Sequence, residues 1–206
     1  STFQVSNAAG TNLLTVDSTN KLVKAGTSQH IVNQQYKEFG LWDFSPNAVG
    51  KHHPMIAINS LDPQSAATFT AHADFGGGGT DPVTSLDIDS DADFRGIAMA
   101  CMWYVPTKIT ITEARILATA DDTMNLNFHI YSYDLDTSSN HGDLSNGTLI
   151  AHAGSSLAMT NAVLKTTTLT IDSAIISSGK VIMVFAENET DADDFTCRCI
   201  VNYYLT

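Results

Sequence analysis

Short stretches in which apolar and polar residues alternate recur along the chain, and they constrain its fold more than any other feature. Residues 108–120 alternate Ile109 and Ile111 with threonines, and residues 125–134 repeat the pattern. A period of two is typical of a strand that places one face on a core. Further strand-like stretches lie at 55–59, 67–73, 96–105, 147–153, 162–171, 180–187 and 195–205.

Turn-forming residues separate these stretches. They occur at 121–122, 145–147, 178–179 and 191–194. Six to eight strands at this spacing from residue 96 onward predict an all-β fold, an antiparallel β-sandwich or jelly roll, and we assign it to residues 29–206. Helical patterns are short, and the best of them lie at 28–38 and 62–67.

The N-terminal segment, residues 1–28, carries two apolar pairs: Phe3 with Val5, and Leu14 with Val16. Each pair has a spacing of two, so its members share one face of a short strand. Because an isolated hairpin is marginal in water, these apolar edges require a partner. Either sister copies of the chain supply this partner, or the segment packs as edge strands on its own sandwich. A few hundred square ångströms of apolar area would contribute several kcal/mol at about 25 cal/mol per Å².

The charge balance excludes some classes of partner. The chain has 22 acidic and 10 basic residues, a net charge of -12. Nucleic-acid binding requires clustered lysines and arginines, which are absent, and the acidic balance argues against anionic membranes. The longest apolar run, 97–105, is too short to span a bilayer, and the polar start lacks a secretory signal.

The three cysteines do not form a disulfide framework. Cys101 lies in an apolar run and is predicted to be a buried thiol. Cys197 and Cys199 are two residues apart on a predicted strand, so they face the same way and are interpreted as packing residues. This pattern predicts folding in a reducing cytoplasm.

The N-terminal segment resembles the trimeric fibre repeats of bacteriophage tail and head fibres, in which F-x-V, N-x-x-G-T and L-x-V-D follow one another. The matching residues are Phe3, Val5, Asn7, Gly10, Thr11, Leu14, Val16 and Asp17. Residues 96–206 are similar to β-sandwich domains at the ends of virion proteins of marine tailed phages. The resemblance implies a structural role and supplies no catalytic residue.

One stretch of alternating aspartates is a candidate calcium site. Its carboxylates recur at every second position, at Asp87, Asp89, Asp91 and Asp93. Oxygen ligands suit calcium, but an EF-hand loop counted from Asp87 would need Gly and Glu where the chain has Ala92 and Ala98. A solvated acidic loop is the alternative interpretation.

Two tyrosines are the aromatic candidates for ligand contact. Tyr131 and Tyr133 have the opposite parity to Phe128 and Ile130, so we expect them to face solvent or a neighbouring subunit. An interface role without a ligand is the alternative. His129 and His152 are interpreted as packing residues of strands.

These patterns together predict a non-enzymatic structural protein without a cofactor. The resemblance to phage fibre and virion proteins implies a homotrimer on a phage particle, as a capsid decoration protein or short head fibre. The expected partners are copies of the chain and the major capsid protein or another virion protein, with assembly in the host cytoplasm. The alternative function is a tail-fibre receptor-binding module that recognises host surface polysaccharide.

Overall fold

The chain is described by a computed structural model, which covers residues 2–27, 30–46, 49–57, 81–85, 99–136, 143–190 and 193–206. Within these ranges the protein is all-β: all strand pairs are antiparallel, and the helical residues are limited to the turn at 99–101. This confirms the predicted antiparallel β-sandwich class.

The N-terminal strands form a small sheet of their own. They are β1 (Thr2–Ser6), β2 (Asn12–Asp17), β3 (Leu22–Ala25) and β4 (His30–Ile31). The sheet order is β1-β2-β3-β4, and in the described part of the chain these strands pair only with one another. The sheet therefore extends past residue 28, to Ile31.

Side-chain hydrogen bonds in the turns hold this small sheet in register. Asn7 Oδ1 accepts hydrogen bonds from the backbone N–H of Ala9 and Thr11, at 3.0 and 2.9 Å. Asp17 Oδ1 accepts from the N–H groups of Thr19 and Asn20, at 3.0 and 3.2 Å. Such turns stabilise a hairpin locally, without a core.

Two larger sheets make up the sandwich. Their strands, in chain order, are β5 (Gln35–Phe44), β6 (His52–Pro54), β7 (Ile56–Ala57), β8 (Trp103–Tyr104), β9 (Ile109–Ala120), β10 (Asn125–Asp136), β11 (Asp143–His152), β12 (Leu157–Ala158), β13 (Lys165–Thr168), β14 (Thr170–Ile171), β15 (Ile175–Ile176), β16 (Lys180–Asn188) and β17 (Phe195–Leu205). The β9–β17 sheet has the order β13-β9-β17-β5-β7, with β15 on β9. The β10–β16 sheet has the order β14-β11-β10-β16-β6, with β12 on β10 and β8 on β16.

The main core lies between the two larger sheets. Alternate residues of β9 and β10 point into it, as their sequence pattern predicted; Ile116, Phe128 and Ile130 are fully buried. Cys197 and Cys199 join this core from β17, and all three cysteines are free and buried. The prediction of buried, unpaired thiols is thereby confirmed.

The other face of the β10–β16 sheet is also covered. A second apolar cluster lies there, formed by Ile56, Ala100, Cys101, Tyr131, Tyr133, Leu144, Val181, Met183 and Phe185. Val83 and Met102 pack against it from the segments 81–85 and 99–102. The sheet is consequently buried on both faces, and all residues of β16 from Val181 to Asn188 are buried.

Two local predictions were wrong. The helical pattern at 28–38 falls on β4 and the first part of β5. Of the strand predicted at 96–105, the described residues 99–105 form a strand only at Trp103–Tyr104, after the helical turn at 99–101. At 28–38 sheet pairing decides the conformation: β5 lies between β17 and β7, where it completes two ladders. The predictions at 62–67 and 67–73 lie outside the described residues.

Candidate functional site

Five apolar residues of the N-terminal sheet lie on one face. Phe3 is opposite Val16 on the neighbouring strand, and Val5 is opposite Leu14. Val23 of β3 continues the first of these rows. The structure thus brings together the four apolar residues selected from the sequence. We call the surface formed by Phe3, Val5, Leu14, Val16 and Val23 the N-terminal apolar face.

This sheet has almost no core of its own. All five residues of β1 are exposed, including Phe3 at 61% and Val5 at 42%. Leu14 and Val16 are half-buried, and Thr15 is the one buried residue among the described residues 2–27. The alternative in which β1 to β3 are edge strands of the sandwich is wrong, because they pair in a separate sheet.

The expectation that Tyr131 and Tyr133 face out is wrong. Their parity is as predicted, but they are 4% and 0% exposed. The Tyr133 hydroxyl donates a hydrogen bond to the backbone oxygen of Val83 at 2.9 Å, and burial raises the pKa of Tyr133. The physical reason is the second apolar cluster: the segment 81–85 covers the face that alternation assigned to solvent. Neither tyrosine is available to a ligand at the surface.

The acidic candidates give no defined site. Asp87, Asp89, Asp91 and Asp93 lie outside the described residues, so the calcium hypothesis stays a prediction. Another acidic group, Asp43, Asp121 and Asp194, has carboxylate oxygens within 4.8 Å of one another at the surface. Exposed acidic groups of this kind are ordinarily solvated.

A buried polar cluster lies beside the second apolar cluster, on three adjacent strands. His52 on β6 is opposite Glu187 on β16, which in turn is opposite Asn127 on β10, two residues before His129. Donor atoms of His52, His129 and Glu187 all lie within 4.8 Å of one another. The side chains of His52 and His129 are 0% and 4% exposed, and Glu187 is 6% exposed.

Distances within this cluster place its members in direct contact. His52 Nε2 lies 3.4 Å from Glu187 Oε2, and the rings of His52 and His129 meet edge to face with centroids 5.2 Å apart. On the outer side, His129 Nε2 lies 3.6 Å from Oδ1 of Asp81, whose side chain is 55% exposed. His152 faces His129 across the β10–β11 ladder and contacts Asp172 at 2.7 Å. The cluster thus reaches the surface through Asp81.

Burial shifts the pKa values of His129 and Glu187 in this cluster. It lowers the pKa of His129 to about 4, and the nearby His52 acts in the same direction. It raises the pKa of Glu187 to about 6, with a further contribution from Glu189 and an opposing hydrogen bond from Asn127. At neutral pH His129 is therefore a neutral imidazole with one lone-pair nitrogen, near a carboxylate whose negative charge is poorly solvated.

Sequence reasoning did not find this cluster. His52 and His53 are adjacent in the sequence, so they face opposite sides of a strand and do not suggest a shared site, and the position of His129 in a strand favours a packing role. The three members are far apart in the chain and become neighbours only through the strand order β10-β16-β6. No local spacing could signal them, since the signal lies in the topology.

Comparisons with known proteins leave the family open. No protein-family model and no curated protein matches the sequence. One similar solved structure is that of infectious bursal disease virus, Gx strain, at 9% identity and a TM-score of 0.30, covering 100% of this chain and 70% of the other. Another comprises the CBM22-1 and GH10 modules of Clostridium thermocellum endo-1,4-beta-D-xylanase 10B complexed with xylohexaose, at 10% identity and a TM-score of 0.27. The alignment covers 50% of this chain and 18% of the xylanase chain. Neither similarity supports a statement about function.

A search for membrane-spanning helices gives a negative result. None of the described residues belongs to a helix with the length and apolar character that crossing a bilayer requires.

Proposed function

We propose that this chain is a non-enzymatic structural protein that assembles through its N-terminal apolar face, with three copies around a threefold axis. The observation that carries the proposal is the exposure of that face. A sheet of four short strands displays Phe3 and Val5 to solvent and buries a single residue, Thr15. Apolar rows of this kind are normally covered, because each fully buried Phe or Val side chain contributes about 1.5–3 kcal/mol.

In a threefold arrangement, the N-terminal apolar face of each copy is covered by the same face of the other two copies. Each copy supplies the two rows, Phe3–Val16–Val23 and Val5–Leu14, so that the sister sheets act as the missing second layer. The exposed outer strand β1 also offers unpaired backbone groups for pairing with a sister strand. Folding of the segment and assembly of the trimer are then coupled.

The proposed setting is the surface of a tailed-phage particle. It comes from the resemblance of the N-terminal segment to phage fibre repeats, described above. In this setting the trimer is a capsid decoration protein or a short head fibre, carried on the virion after assembly in the host cytoplasm. The N-terminal sheet contacts sister copies or a capsid protein, and the sandwich extends outward.

The test is the mass of the purified full chain in solution, measured by sedimentation at micromolar concentration. We expect three times the 22.1-kDa chain mass for the wild type. Phe3→Ser combined with Val5→Ser should dissociate the trimer, because both side chains lose their apolar burial in the interface. Every 1.4 kcal/mol of lost binding free energy weakens association about tenfold. Leu164→Ser, at a side chain 64% exposed on the sandwich, is the matched control and should remain trimeric. A monomeric wild type, or equal dissociation of the control, would contradict the proposal.

The receptor-binding alternative has lost its two selected aromatic residues, since Tyr131 and Tyr133 are buried. It stays a prediction that can be tested on the same preparations. Retention of the wild-type protein on isolated host envelope polysaccharide would favour it over simple decoration.

A further inference from the structure

We propose that His52, His129 and Glu187 form a binding site for one divalent transition-metal ion, with Zn²⁺ as the best-fitting ion. The proposal is independent of the assembly proposed above, because the three residues belong to the sandwich. It rests on the donor set, its geometry, its burial and one buried nitrogen that lacks a hydrogen-bond partner.

The donor set matches the preference of zinc. Two imidazoles and one carboxylate form a common three-residue ligand set for zinc, with a water molecule or further ligand at the fourth position. Hard cations such as Ca²⁺ prefer six to eight oxygen ligands, which this cluster does not offer. The same set with open positions is also known for Fe²⁺, so the experiment below compares metals.

The geometry requires only small adjustments. Ligand atoms at 2.0–2.2 Å from a tetrahedral zinc ion lie about 3.4 Å from one another. His52 Nε2 and Glu187 Oε2 are already 3.4 Å apart, and all three donor atoms lie within 4.8 Å. The three side chains come from β6, β16 and β10, which are consecutive in one sheet and hold them on a rigid support.

Burial makes an ion the natural complement of the cluster. The Glu187 carboxylate is 6% exposed and lies 3.4 Å from His52 Nε2, and burying a carboxylate is costly unless a positive charge or hydrogen bonds offset it. His129 Nδ1 is buried and has no hydrogen-bond partner among the described residues. With Nδ1 on the metal and Nε2–H donating to Asp81, both nitrogens of this ring would be satisfied. A carboxylate behind a metal-binding imidazole is the usual arrangement that orients such a ring.

Asp81 marks the side of the site nearest the surface, since its side chain is 55% exposed and lies 3.6 Å from His129. We expect an ion to approach from that side. A bound ion would join the three-residue strand β6 to β16 and β10. Metal binding should therefore stabilise the folded sandwich, with an increment that rises with the free metal concentration.

The experiment measures metal binding to the full chain after removal of metal by a chelator. Calorimetric titration with Zn²⁺, and with Co²⁺, Fe²⁺ and Ca²⁺ for comparison, should show one equivalent of Zn²⁺ bound and no response to Ca²⁺. The melting temperature should rise with zinc concentration. Co²⁺ should give the visible absorption of a four-coordinate nitrogen and oxygen site.

Variants separate the site from adventitious binding. Glu187→Gln removes the charge at constant shape, so the metal-free protein should fold with an unchanged or higher melting temperature while zinc affinity falls at least about 100-fold. Asp81→Asn removes the carboxylate that lies 3.6 Å from His129 Nε2 and should weaken zinc binding about 10-fold, since loss of a group that orients a metal ligand typically costs about 10- to 100-fold. His152→Ala is the matched control, because His152 is paired with Asp172 outside the ligand set, and it should bind zinc like the wild type.

The outcomes are decisive in both directions. Loss of zinc binding in Glu187→Gln but not in His152→Ala supports the site. Absence of stoichiometric zinc binding by the wild type, or wild-type affinity in Glu187→Gln, would overturn it. Equal loss in His152→Ala would place any bound zinc elsewhere and would also overturn the assignment.

Discussion

Replacing Tyr133 tests whether the outer face of the β10–β16 sheet is a core or a ligand surface. Tyr133 is fully buried, stacks on Tyr131 with ring centroids 6.0 Å apart, and bonds to the backbone oxygen of Val83. Tyr133→Ala should therefore cost about 3–5 kcal/mol of unfolding free energy, as large-to-small changes of buried aromatic residues do. Tyr133→Phe keeps the ring and should cost only about 1 kcal/mol, the net contribution of one hydrogen bond.

Urea denaturation followed by both circular dichroism and tryptophan fluorescence measures these differences, and agreement of the two probes checks two-state behaviour. Tyr36→Ala is the matched control, because that side chain is 67% exposed, and it should change stability by less than about 1 kcal/mol. If Tyr133→Ala proves as mild as Tyr36→Ala, then the segment 81–85 does not cover this face, and the second apolar cluster is not a core.

Three further predictions concern the packing and the turns. Gly147→Ala should destabilise the protein by about 1–3 kcal/mol in the same denaturation assay, because the new Cβ would lie 2.8 Å from Tyr133 Cε1 and from Thr84 Cα. Gly154→Ala is the control and should have a mild effect, because the nearest atom to its new Cβ is 3.6 Å away. Equal effects of the two substitutions would refute the clash. The three buried thiols should not react with a thiol reagent in the native protein and should give three equivalents after unfolding, because burial raises their pKa values; rapid native reaction would contradict their placement. Hydrogen bonds from the turn lower the pKa of Asp17, so its contribution to the β2–β3 turn is present above pH 3.8 and is lost as the pH falls through its lower folded value; a carboxyl titration by NMR with a midpoint at or above 3.8 would refute this.

Much of the sandwich could be predicted from alternation and from short apolar runs. The strands β9, β10, β16 and β17 lie where the pattern placed them, because each has one face on the main core and a polar turn at its end. The apolar pairs of β1 and β2 likewise share the expected face.

The remaining features depend on contacts between distant segments. The alternation correctly placed Tyr131 and Phe128 on opposite faces of β10. It could not show that residues 81–85 and 99–102 cover the face that carries Tyr131. Similarly, no periodicity links His52 to His129, which the strand order makes neighbours. Local pattern determines the side of a strand to which a residue points, and the topology determines what is found there.

The position of β17 has a consequence for biosynthesis. This strand, Phe195–Leu205, lies between β9 and β5 and pairs with both along most of its length. Until residue 205 has left the ribosome, β5 and β9 have no common neighbour, and their backbone edges and apolar faces are open to other nascent chains. A chain interrupted before Phe195 should aggregate, and closure of the sheet should be a slow step that follows the emergence of β17, as expected where long-range pairings dominate.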